Sequence, residues 1–164
     1  MDYAKLAVDM ALKSWNVQID RTTKFFDSQT DEDLNKEVAP GKNTLLYLLG
    51  HLVAVNDSMI SIFGLGEREY ALLDEAFVKN RDKAGFTFPD TATLRNDWTK
   101  SNETLTAYFT KMTPAEWLSR HNSMTDEDYA KEPSRNKLSV LMNRTNHVAY
   151  HLGQMILVKK HQAD

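Results

Sequence analysis

The chain has no cysteine among its 164 residues. Disulfides, thiolate metal ligands and a cysteine nucleophile are therefore all excluded. An excess of one charge is also lacking, because the formal net charge is −3 and no basic stripe runs along the chain. Basic patches mark proteins that bind nucleic acids, so we expect no nucleic-acid partner. Proline is scarce, with 4 in the chain, and none interrupts residues 3–28.

Two further signals are absent from the sequence. The first residues lack the basic and then apolar pattern of a signal peptide. The longest apolar run, residues 45–55, is shorter than a bilayer span. We therefore expect a cytoplasmic protein with no membrane partner. The length suits one domain, and we assign residues 1–164 to it.

Four stretches place apolar residues at steps of three and four, which is typical of amphipathic helices. They are residues 3–28, 43–63, 91–112 and 134–160. The second stretch is apolar nearly all round, so we expect it in the middle of a bundle. Polar residues that can serve as N-caps precede the last three stretches: Asn43 or Thr44, Asp90 or Thr91, and Ser134 or Asn136.

The connections between these stretches are expected to hold short helical pieces. Thr30 precedes three acidic residues, and Thr113 and Glu116 form a capping-box pattern, so each predicts a short helix. Residues 69–79 could form a helix, whereas residues 121–133 are polar and predict a loop. The sequence therefore predicts an all-α fold, a four-helix bundle with short extra helices in the connections.

A pair of histidines stands out in the last predicted helix. His147 and His151 are four residues apart, so they lie about 40° apart around the axis and about 6 Å apart along it. Both imidazoles can then meet one metal ion, for which neutral imidazole is the commonest protein ligand. Two ordinary helix-face histidines are the alternative. The zinc-protease pattern H-E-x-x-H does not apply, because Val148 stands where its glutamate belongs.

A third histidine, His51, lies in the apolar second helix. Helices two and four of a bundle can both face its core, so His51 can meet His147 and His151. Three imidazole ligands are typical of catalytic sites, whereas structural zinc sites have four protein ligands.

Two motifs at these positions resemble the DinB-like family of metal-binding four-helix bundles. One is Gly50-His51-Leu52, and the other runs from His147 to Gln154 as HVAYHLGQ. The resemblance implies a divalent metal ion (nickel, zinc, iron or manganese) held by His51, His147 and His151. It also implies a homodimer.

Members of this family with an assigned activity are thiol-dependent enzymes. They are transferases that use bacillithiol or mycothiol, and an isomerase that requires a thiol cofactor. The resemblance thus implies a small-molecule substrate and a low-molecular-weight thiol, which must come from outside because the chain has no cysteine. A metal ion lowers the pKa of a bound thiol. A hydrolase that uses metal-bound water, and a bundle that binds metal without catalysis, are the alternatives.

Three residues near the histidine motifs are candidates for the pocket. Arg144 lies one helical turn before His147 and could hold an anionic cofactor or a substrate carboxylate. A solvated or salt-bridged arginine is the alternative. Tyr47 and Tyr150 could border the site, with ordinary core aromatics as the alternative.

Other polar residues nearby have different expected roles. Asn146 and Gln154 could orient the metal ligands through hydrogen bonds. Gly153 is expected to permit close helix packing. His121 and His161 lie in polar or terminal surroundings, and we expect both on the surface.

Overall fold

Helices account for the architecture of the computed structural model, in which residues 1–158 are described. The α-helices are α1 (Tyr3–Asp27), α2 (Asp31–Leu34), α3 (Leu45–Phe63), α4 (Thr91–Phe109), α5 (Pro114–Trp117), α6 (Asp126–Lys131) and α7 (Lys137–Met155). The long ones form the bundle: α1 packs mainly on α7, α3 packs mainly on α4, and α3 also meets α7. No strand occurs within residues 1–158. The predicted all-α four-helix bundle is confirmed.

Each long helix begins at a polar residue whose side chain accepts a hydrogen bond from a backbone N–H three residues later. These N-caps are Asp2, Thr44, Asp90 and Asn136. Such caps satisfy one of the N–H groups that have no partner inside the helix. At the other end of α3, Gly64 adopts the left-handed conformation with φ 70°, which glycine reaches without strain.

The last two long helices differ in their bounds from the predicted stretches. The fourth begins at Lys137, because its N-cap is Asn136, one of the two predicted candidates, and it ends at Met155. The third ends at Phe109, before the expected residue 112. The predicted end of the fourth helix, at residue 160, lies outside the described residues.

The predicted short helices after Thr30 and Thr113 are both present, as α2 and α5. The predicted loop at residues 121–133 is wrong, because α6 lies within it. Its N-cap Thr125 exchanges hydrogen bonds with Asp128 in a capping box. Thr125 and Asp128 thus repeat the pattern of a threonine before acidic residues that predicts the helix after Thr30.

The segment at residues 69–79 does not form one α-helix. It contains a 3₁₀ turn (Ala71–Leu73) followed by a π-helical turn (Glu75–Lys79). Arg68 fixes its start, because the guanidinium lies 2.9 Å from Asp57 on α3 and 2.6 Å from Asp74. Phe77 fixes its end, since this side chain is fully buried. Contacts with α3 therefore decide the shape of the segment.

The core is centred on α3, where Leu52 is fully buried. By length and composition, α3 could cross a membrane, because the whole helix is longer than the apolar run at residues 45–55. However, 72% of its most apolar window is buried inside the bundle, as in the core helix of a globular protein. Leu152 on α7 is half-buried and packs on the edge of the core.

Candidate metal centre

The three predicted histidines come together between α3 and α7. The Nε2 atom of His147 lies 3.2 Å from Nε2 of His51 and 3.0 Å from Nε2 of His151. Ligands of a tetrahedral zinc ion are separated by about 3.4 Å, because each lies about 2.0–2.1 Å from the metal. These two separations therefore need to increase by only a few tenths of an ångström to suit such an ion, and all three ligand atoms lie within 4.8 Å of one another. Within residues 1–158, these three residues form the cluster that could hold a metal ion.

The orientation of His51 is set by a backbone carbonyl. Its Nδ1 donates a hydrogen bond of 2.7 Å to the carbonyl oxygen of Phe77, in the π-helical turn. The proton is therefore on Nδ1, and Nε2 carries a free lone pair directed at the other two histidines. Metal-binding histidines are commonly fixed in this way by an acceptor behind the ring.

The second fixed ring is that of His151. Its Nδ1 donates a 2.9 Å hydrogen bond to Oε1 of Gln154, and Nε2 of Gln154 donates to the Tyr150 hydroxyl at 3.0 Å. Gln154 thus has the orienting contact expected of it. Asn146 does not, because it is exposed and lines a groove of about 400 Å³ between α1 and α7.

The protonation of the three imidazole rings explains why a cation suits this cluster. The lone pairs of His51 and His151 both face Nε2 of His147, which can donate a proton to only one of them. Nδ1 of His147 is buried and has no partner within the described residues, so no contact there fixes which nitrogen of this ring carries the proton. With that proton on Nδ1, a cation at the meeting point would bind the lone pairs of all three Nε2 atoms, so the residues present fit a metal ion.

Burial keeps the three imidazoles neutral. Together with the neighbouring His151 and His51 and the charge of Arg144, it lowers the pKa of His147 to about 3. Burial also lowers the pKa values of His51 and His151, although the hydrogen bonds to Phe77 and Gln154 oppose this. Neutral imidazole is the form that binds metals, so all three are ready to do so at neutral pH.

A glycine beside His51 allows the carbonyl of Phe77 to approach. A β-carbon at Gly50 would lie 2.6 Å from Cδ1 and Cζ of the Phe77 ring, closer than atoms can pack. Gly50 is therefore needed for close packing. The same expectation for Gly153 is wrong, because a β-carbon there would meet nothing within 4 Å.

Both tyrosine candidates border the cluster. The ring of Tyr47 stacks on His51 with centroids 6.1 Å apart, and its hydroxyl donates a 2.7 Å hydrogen bond to the Asn80 carbonyl. Tyr47 is thus a buried aromatic that supports the site. Tyr150 is 62% exposed, and its ring lies edge-on to His151 at 5.2 Å.

Arg144 lies between the same two helices. It is half-buried, and its Nη2 donates a long hydrogen bond of 3.5 Å to the Ser58 hydroxyl. No carboxylate within residues 1–158 pairs with it. The described residues therefore do not form the salt bridge considered above, whereas a partly solvated guanidinium is compatible with the partial exposure of Arg144.

The other two histidines are separate from the cluster. The prediction of a surface position for His121 is wrong, because it is 9% exposed. Its Nδ1 accepts a 3.2 Å hydrogen bond from the backbone N–H of Ser123, which explains how a polar ring is accommodated in the link before α6. His161 lies outside the described residues.

Comparison with known proteins agrees with the fold and the histidine cluster. A search of curated proteins gave no match. A family model described as the DinB superfamily matches residues 15–155, a range that includes all three clustered histidines. This range covers most of the 164 residues. The chain therefore belongs to the DinB superfamily.

Proposed function

We propose that the protein is a metal-dependent enzyme whose metal ligands are His51, His147 and His151. The observation that carries the proposal is the convergence of the three Nε2 atoms, two of which belong to rings held from behind by the Phe77 carbonyl and by Gln154. An ordinary group of core histidines has no need of such an arrangement. A cytoplasmic location remains part of this proposal.

The three imidazole donors are compatible with several divalent metals and do not identify one of them. Imidazole ligands suit zinc, iron and nickel, and manganese remains among the family's metals. A bound divalent ion would act as a Lewis acid that lowers the pKa of a thiol or of water. The protein contributes neutral imidazoles in a fixed orientation.

Access to the cluster supports catalysis over a purely structural role. His51 and His147 are half-buried rather than sealed, so a small molecule can approach their side of the cluster. Three protein ligands also leave room for a non-protein ligand on a four-coordinate ion. A structural site would instead have four protein ligands and no access.

Thiol transfer is the reaction proposed first, because family membership favours it. The thiol sulfur would bond to an electrophilic carbon, a leaving group such as chloride would depart, and the thiol proton would pass to the buffer. Hydrolysis, with water in place of the thiol, is the second candidate. The half-buried histidines favour it equally, since water reaches any site that a thiol reaches.

Cobalt substitution tests the proposal. We expect a near-ultraviolet charge-transfer band when bacillithiol, mycothiol, glutathione or coenzyme A is added to the cobalt-loaded protein. The effective thiol should then react with 1-chloro-2,4-dinitrobenzene, and His147→Ala should lose both band and turnover. A bound metal that gives no band with any thiol would contradict thiol transfer. Metal-dependent cleavage of an ester panel would then identify the hydrolase.

The homodimer stays a prediction, and one surface feature supports it. Apolar side chains of α1 and α7 are exposed beside the groove between these helices: Tyr3, Leu6, Met10 and Met142. Burying them against a second copy would remove apolar surface from water. Sedimentation equilibrium should show a dimer that Met10→Lys disrupts. A monomer for the parent protein would contradict it.

A further inference from the structure

The charge of Arg144 lacks the partner that the other partly buried arginines have. Three other arginines are partly buried, and each has a carboxylate within 4.0 Å: Arg68, Arg95 and Arg120. Arg144 has none within residues 1–158. Its Nε is buried without a partner there, and its 3.5 Å contact with the Ser58 hydroxyl is at the limit of a hydrogen bond.

The position of Arg144 connects it to the histidine cluster. It lies one turn before His147 on α7, and Ser58 lies two turns after His51 on α3. The guanidinium is therefore in the same seam between α3 and α7 as the cluster. Its positive charge also lowers the pKa values of His51 and His147, which places it within electrostatic reach of both.

An unpaired charge in this seam costs stability. Burial lowers the pKa of Arg144, which reflects the loss of water around the guanidinium. A partly buried charge without a counter-ion loses part of its hydration without compensation, and a methionine or leucine of similar volume would avoid that cost. A structural role alone therefore does not account for an arginine here.

The chemistry of the guanidinium identifies its missing partner as an oxyanion. Its planar set of N–H donors matches a carboxylate through two parallel hydrogen bonds. A divalent ion on three neutral imidazoles would add further positive charge nearby, so the seam as a whole would attract an anion.

We propose that Arg144 binds the carboxylate of a small molecule whose other end reaches the three-histidine site. This inference rests on the proposed function, because it assumes that a metal occupies the cluster. The carboxylate belongs either to the thiol or to its electrophilic co-substrate. Arg144 thereby selects acidic small molecules over neutral ones of the same size.

Two thiols of equal length test the selection. The cobalt-loaded protein is titrated with 3-mercaptopropionate and with 3-mercapto-1-propanol, and the near-ultraviolet band reports binding. We expect the acid to bind about tenfold more tightly, as one charge-assisted contact allows. Arg144→Gln should remove this difference without weakening binding of the alcohol. Arg21→Gln, at an exposed arginine on α1, should keep the difference.

A second arm distinguishes the source of the carboxylate. If the carboxylate belongs to the co-substrate, the two thiols bind equally, but propionate binds to the cobalt protein in the presence of the alcohol. That binding should be lost in Arg144→Gln and kept in Arg21→Gln. Equal thiol affinities together with no propionate binding that depends on Arg144 would overturn the inference.

The failure of the proposed function has a different signature. A protein that takes up no cobalt, seen from missing visible absorption, would refute the metal site itself.

The stability of the metal-free Arg144→Gln variant gives an independent readout. Removing an uncompensated charge should leave its urea midpoint at or above that of the metal-free parent. A clearly lower midpoint would show that Arg144 stabilises the fold, which contradicts the proposal.

Discussion

Gly50 lies directly against the ring of Phe77, with room for no larger side chain between them. A β-carbon at Gly50 would lie 2.6 Å from two ring carbons of Phe77. The backbone of the same Phe77 accepts the hydrogen bond from Nδ1 of His51. Gly50 thus controls, through Phe77, the carbonyl that orients the neighbouring histidine. A π-helical turn at this point agrees with the frequent occurrence of such turns at functional sites.

Gly50→Ala should therefore weaken metal binding. The added methyl group must displace the Phe77 ring and its carbonyl, so His51 loses the contact that fixes its orientation. Loss of such a supporting contact typically lowers metal affinity about 10–100-fold. Competition with a chromogenic zinc chelator measures the effect.

Gly153→Ala is the matched control for this substitution. Gly153 is on α7 beside Gln154 and has open space around it, so alanine fits and improves helix propensity. Zinc affinity should stay unchanged, with slightly higher stability. Equal zinc affinities for Gly50→Ala, Gly153→Ala and the parent would show that the Phe77 carbonyl does not support the site.

Acid should destabilise the metal-free protein through its histidines. Burial lowers the pKa of His147 to about 3, and the pKa values of His51 and His151 are also lowered. The unfolded chain takes up these protons below about pH 6.5, whereas the folded chain resists them. Stability is therefore fully present above that pH and falls as the pH drops towards about 3.

The comparison with His147→Gln isolates this contribution from that of the carboxylates. Urea unfolding of both proteins, measured between about pH 7 and about pH 4, should show a steeper loss for the parent. Arg144 contributes to the low pKa of His147, so it must be kept in both proteins. Parallel curves for the two proteins would contradict the lowered pKa.

Leu52 and Leu152 should differ in their effect on stability. Leu52 is fully buried on α3, so Leu52→Ala should cost about 2–5 kcal/mol through lost burial and the cavity left behind. Leu152 is half-buried, so Leu152→Ala should cost less, about 1 kcal/mol. Urea midpoints at constant slope measure both. A greater loss for Leu152→Ala would show that the core is wrongly placed.

Local sequence patterns account for the long helices and their caps, whereas the packing of distant segments decides which polar residues are buried. Apolar spacing and polar caps are local, so they predicted the four long helices and offered the N-caps Thr44, Asp90 and Asn136 as one of two candidates each. The spacing of His147 and His151 is also local, and it indicated the cluster. The burial of His121 depends on how distant segments pack, which no local pattern encodes.

The hydrogen bond that orients His51 could not be predicted from the sequence either. The acceptor is a backbone carbonyl, which every residue has, so nothing in the sequence marks that of Phe77. Its position depends on the π-helical turn and on the missing side chain of Gly50. Gly50 is part of the motif Gly50-His51-Leu52, but its need to be a glycine follows only from the short distance to the Phe77 ring.

Metal content per chain tests the central claim most directly. The parent protein, His51→Ala and His121→Gln are each dialysed with zinc and then against metal-free buffer, and zinc is measured by elemental analysis. Circular dichroism confirms that each variant keeps its helices, which matters because His121 is buried. We predict one zinc per chain for the parent and for His121→Gln, and none for His51→Ala. Equal zinc content in the parent and in His51→Ala would contradict the three-histidine site.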